Sequence, residues 1–78
     1  MSHPKNISGP HIRTIRQSLG LQQIELAVAL SVDYGLKLEQ SDISEIERQV
    51  RSVKDFELEA IAQILDTDPV FLLRGDPR

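Results

Sequence analysis

Apolar side chains recur in this chain at intervals of three, four and seven residues, in short stretches closed off by glycine or proline, and nowhere do they alternate. That spacing lines one face of a helix and never one face of a strand. Gly9-Pro10 opens the first stretch, with proline suited to the first helical position, where its missing amide costs nothing. Ile12, Ile15 and Leu19 form its expected buried stripe, and Gly20 follows where a left-handed cap would close it. The second stretch, from Gln22 or Gln23 to Gly35, is apolar over a wide arc, with Ile24, Ala27 and Val28 on one side and Leu26 and Leu30 on another. Such a helix is central or lies against a partner.

The third stretch opens at Gln40 or Ser41, with Ser41 as a candidate cap. Its stripe is the narrowest in the chain, Ile43, Ile46 and Val50, and its other faces are hydrophilic. Ser52-Val53-Lys54-Asp55 reads as a capping-box variant that opens a fourth helix running to about Leu65. Leu58, Ile61, Ala62 and Leu65 face inward there, with Phe56 near the start. Asp68 and Pro69 announce a fifth helix carrying Val70, Phe71, Leu72 and Leu73, stopped by Gly75. The expected class is all-α: one compact five-helix domain over residues 9–75, a flexible N-terminal tail over 1–8 and a C-terminal tail over 76–78.

Composition removes most chemistry. The 78 residues fit one small domain, and the absence of cysteine removes disulfides, thiol nucleophiles and thiolate metal sites. The longest apolar run, residues 26–30, is far short of the roughly 20 that a membrane span needs. The polar start, Met1-Ser2-His3-Pro4-Lys5-Asn6, lacks the apolar stretch of a secretory signal, so a cytoplasmic setting is expected. His3 and His11 are the only histidines and cannot form a helical i, i+4 pair. The glycines are far apart and form no phosphate loop. No catalytic residue, metal or cofactor is expected, and the chain is read as a non-enzyme.

Charge is uneven. The net −3 divides into +1 over residues 1–54 and −4 over residues 55–78. Arg48, Arg51 and Lys54 cluster just beyond the third helix, so a polyanion can approach the first half despite the overall sign.

Three blocks then fall in a familiar order: Leu19-Gly20-Leu21-Gln22-Gln23-Ile24-Glu25-Leu26-Ala27, Ser41-Asp42-Ile43-Ser44-Glu45-Ile46-Glu47-Arg48, and Ile61-Ala62-Gln63-Ile64-Leu65. Over roughly residues 10–75 the chain resembles the phage repressor/Cro-like (xenobiotic-response-element type) helix-turn-helix regulators. The resemblance implies a repressor-like domain in which helices two and three form the DNA-reading pair, the latter in the major groove. It places Gln23 on a phosphate and the opening of helix three, Gln40, Ser41, Ser44 and Glu45, on base edges. Glutamine suits adenine, and glutamate accepts from cytosine. Arg48, Arg51 and Lys54 would contact phosphates and set register, with Lys37 adding a further contact. It also implies a structural ion pair between Arg16 and Glu47.

The chain departs from that family's pattern in three ways. About six extra residues separate Ala27 from Ile43, lengthening the turn. Gln49 stands where glycine usually follows helix three, and Glu39, Asp42 and Glu45 make the opening of that helix acidic. Two functions are therefore carried forward. One is a sequence-specific DNA-binding regulator acting as a homodimer on double-stranded DNA, with Val70, Phe71, Leu72 and Leu73 as a dimer patch and regulation by a protein partner. The other is an antitoxin-like or phage-type protein-binding adaptor on the same fold. Neither involves a membrane.

Overall fold

Each helix is started and stopped by a local device, and the core follows from where these devices set the helix phase. The computed structural model describes residues 3–74, with helices α1 (Gly9–Ser18), α2 (Gln23–Tyr34), α3 (Gln40–Glu47), α4 (Asp55–Ile64) and α5 (Pro69–Arg74), and no strand among them. Gly75 and the tail expected over 76–78 lie outside the described residues, as do Met1 and Ser2. No helix among the described residues is long and apolar enough to cross a membrane. The Cα radius of gyration, 11.4 Å, is close to the roughly 11.5 Å that a packed chain of this length should have.

Three helices begin with one arrangement. The third helical residue is acidic, and its carboxylate accepts the amide of the capping residue, which would otherwise lack a partner. Gln22 N–H donates to Glu25 at 2.7 Å, Glu39 N–H to Asp42 at 2.8 Å and Lys54 N–H to Glu57 at 3.0 Å. Neither Ser41 nor Ser52 is the cap. α3 starts one residue before Ser41, with Glu39 extended ahead of it, and α4 starts after Lys54. Asp68 does cap α5, accepting from Val70 N–H at 2.8 Å.

Four helices end on a left-handed residue: Gly20, Gly35, Gln49 and Asp66. After α3, Gln49 N–H donates to Ile46 O and Val50 N–H to Glu45 O, the paired bonds of a Schellman ending. Glutamine in this conformation costs about 1 kcal/mol relative to glycine, and its side chain offsets part of that by donating to Asn6 O at 2.9 Å.

The core is a single cluster containing Ile12, Leu26, Ala27, Leu30, Ile43, Ile46, Leu58, Ile61, Ala62, Leu65 and Leu72. Two expected stripe members, Leu19 and Val50, are not in it, and neither is Phe56. Leu19 is the C-cap of α1, Val50 lies past the left-handed residue that ends α3, and Phe56 points outward from the first turn of α4; all three are exposed. The helical count does not decide the fate of a cap residue: Leu65, the C-cap of α4, is buried where Leu19 is not.

Residues 5–8, expected within a flexible tail, are a strap across the end of α3. Lys5 N–H donates to Gln49 O, and the Asn6 amide donates to Ile46 O and Arg51 O while accepting from Gly9 N–H. Ser8 and Gly9 are buried. Gly9 is required by this close approach, since a Cβ there would collide with the Ile46 carbonyl oxygen.

Candidate nucleic-acid interface

α3 has eight residues, too few to persist alone in water, where roughly 12–15 are marginal. Burial of Ile43, Ile46 and Glu47 holds it in place. The loop before it, residues 35–39, is pinned by half-buried Leu36 and Leu38 packed on the core, and Leu36 N–H donates to Leu30 O. The lengthened turn is therefore fastened at two points. Its remaining side chains, Lys37 and Glu39, are exposed, as are Gln40 and Ser41 at the tip of α3; Ser44 and Glu45 are half-buried.

A polar relay runs from the interior to that tip. Arg16 grips Glu47 with Nε at 2.6 Å and Nη2 at 3.0 Å, and its Nη1 donates to Leu21 O at 2.7 Å. Gln23 Nε2 donates to Glu47 Oε1 at 3.0 Å, and Gln40 Nε2 reaches Gln23 Oε1 at 3.4 Å. Glu47 is thus buried against Arg16 and orients Gln23, the residue at the start of α2. Gln40 spends one amide proton on Gln23, leaving one N–H and its carbonyl oxygen, the pair that a bidentate contact with adenine uses.

The acidic opening of α3 is partly neutralised from within, since Asp42 lies 3.8 Å from Arg51. Glu39 and Glu45 make no ion pair among the described residues.

The cations separate into two groups. Arg51, expected on a phosphate, is committed elsewhere: Nη1 and Nη2 donate to the two Glu57 oxygens at 3.2 and 3.1 Å, with Asp42 on its other side. Its hydrogen bond to Glu57 raises its pKa against the cost of burial, so it stays charged and structural. Arg48 is exposed, with Nε donating to Ser44 Oγ at 3.2 Å, so Ser44 also steadies an arginine. Lys37 is exposed, and Lys54 places its ammonium 5.9 Å from the Phe56 ring centre.

At the fifth-helix patch, burial differs from residue to residue. Leu72 is fully buried in the core, and Val70 and Phe71 are half-buried, with Phe71 set 6.5 Å from the His11 ring. His11 Nδ1 lies 2.8 Å from Leu72 O, tying α5 to α1. Leu73 is the exposed large apolar residue of that group.

Burial pushes the Glu57 carboxyl up, but the hydrogen bonds from Arg51 and from Lys54 N–H, with their positive charges, outweigh it and hold its pKa below the usual carboxylate value. A lowered native pKa stabilises the fold at neutral pH, and this contribution is lost as pH falls through that pKa. Glu57→Gln should cost on the order of 1 kcal/mol at pH 7. The difference from the unsubstituted protein should shrink as pH falls; thermal unfolding at pH 7 and pH 3 measures it, and a pH-independent difference would rule out the ion pair as its source.

The Asn6 strap and the commitment of Arg51 to Glu57 were not visible to sequence reasoning. Asn6, three residues before Gly9, carries the spacing of a local side-chain cap, which is a faint signal for the first. Comparison with protein-family models, with curated proteins and with solved structures gave no match to this chain.

Proposed function

We propose that the chain is a sequence-specific DNA-binding regulator that reads the major groove with the start of α3, as a helix-turn-helix formed with α2. The observation that carries this reading is the relay Arg16–Glu47–Gln23–Gln40. It holds a glutamine amide at an exposed helix tip with one donor and one acceptor still free. Gln40 and Ser41 stand on base edges, with Ser44 and Glu45 one turn further along. Gln23, Lys37, Arg48 and Lys54 contact phosphates, and Arg51 is withdrawn from that set. One α3 covers only a few base pairs, so two copies act on half-sites about one helical turn apart, roughly 34–36 Å.

Selection from a random duplex pool followed by a salt titration tests this. A selected site should emerge, and affinity for random duplex should fall with salt. The log–log slope should be about −2 to −3 per copy, because Lys37, Arg48 and Lys54 each release ~0.9 counterion per phosphate. Gln40→Ala should lose about 1–3 kcal/mol of discrimination on the selected site and little on random duplex. Equal losses on both would remove Gln40 from base reading. The second reading, a protein-binding adaptor, is favoured by Glu39 and Glu45, which make no ion pair among the described residues, beside a net charge of −3. It predicts no selected site and no binding to random duplex at low salt.

A further inference from the structure

We propose that the outward face of α2 is a docking surface for a helical segment of another protein bearing an apolar stripe bordered by lysine or arginine. Ile24, Val28 and Val32 stand one turn apart along α2 with 45%, 53% and 75% of their surface exposed. Scattered exposed aliphatics are ordinary, but three in line on one helix form a strip whose hydration is unfavourable. The helix beneath is rigid, since Leu26, Ala27 and Leu30 on its other side are buried in the core and Tyr34 Oη donates to Gln63 on α4 at 2.5 Å. The strip opens on one side into a shallow groove of about 430 Å³ over Glu25, Ala29 and Asp33.

Charge selects the occupant. Glu25 and Asp33 border the strip near its two ends, and α2 contains no lysine, arginine or histidine. Two copies paired through this face in antiparallel fashion would set each Glu25 against the other's Asp33, and in parallel fashion each acid against itself. Like charges meet either way, on top of a net −3 per copy. A helix with aliphatic side chains at the same interval and basic flanks fills the strip and pairs both acids. A second groove shares Ile24 and Val28 with the strip and ends at Gln40 and Ser41. The surface stands independently of DNA binding.

The test titrates the full chain, without DNA, into two labelled synthetic helical peptides with the same leucine stripe, one flanked by lysines and one by glutamates. Fluorescence anisotropy should show the lysine peptide binding at least about tenfold tighter. Val28→Ser should weaken that binding at least about tenfold while leaving the melting temperature unchanged, and Asp33→Lys should erase the preference between peptides. Equal binding of both peptides, binding of neither, or indifference to Val28→Ser would overturn the proposal. A dimer in light scattering that Val28→Ser dissociates would also overturn it, because it would assign the face to a second copy. A chain that binds the lysine peptide but selects no DNA site would sustain this inference while ending the DNA reading.

Discussion

Glu47→Ala is expected to destabilise the domain by about 3–5 kcal/mol, the cost of leaving a buried charge without its partner. The Arg16 and Glu47 side chains are 9% and 2% exposed, so little water reaches the guanidinium once the carboxylate is gone. Gln23 loses the acceptor that orients its amide in the same step. Small domains hold roughly 0.05–0.15 kcal/mol per residue in total, so the variant should sit near or past its unfolding threshold at 37 °C. Urea unfolding followed by circular dichroism measures the loss. The double variant Arg16→Met/Glu47→Leu separates stability from function. Replacing a buried pair by apolar side chains of similar volume is often near neutral, so this protein should fold but lose the relay to Gln40. Its discrimination between the selected site and random duplex should fall as it does for Gln40→Ala. A Glu47→Ala protein as stable as the parent would show that the pair does not hold α3.

Ile46→Ala should cost about 2–5 kcal/mol. Ile46 is fully buried, and with Ile43 it supplies the apolar anchorage of α3. Its backbone is also the point where the strap and the first helix meet, through Asn6 and the close approach of Gly9. The cavity left by alanine would open in the core beneath α3, where a short helix has little else to resist its movement. Val50→Ala is the matched control: the same truncation logic on a residue one would add to the stripe by counting, but which is exposed past the helix end. It should stay within about 0.5 kcal/mol of the parent. Comparable losses for the two variants, read from urea midpoints, would mean that α3 is held by something other than its isoleucines.

These residues also show what could be read in advance. Ile43, Ile46, Leu58, Ile61 and Ala62 were legible as core because each lies inside a helix with a single apolar stripe, where periodicity fixes direction. Val50 was not, because helix ends depend on left-handed residues and Gln49 lacks the glycine signal that marks Gly20 and Gly35; Leu19, just ahead of Gly20, is the exposed C-cap of α1. α2 is apolar on both sides, so its pattern alone does not say which face enters the core and which is left outside. At the site, the exposed tip at Gln40 and Ser41 follows from the narrowness of the isoleucine stripe. The allocation of cations does not: Arg51 and Glu57 meet across a loop, and counting charges treats Arg51 like Arg48. The Asn6 strap depends on carbonyls some forty residues away, a relation that no local pattern encodes.

If the hydrophilic flank of α3 enters a duplex groove, backbone amide shifts of the full chain, followed by NMR as a selected duplex is added, should locate the contact there. The largest changes are expected at Gln23 and over residues 37–48, with residues 56–64 of α4 almost unmoved. Shifts centred on α4 and α5, or none at duplex concentrations that saturate binding, would contradict groove entry by α3.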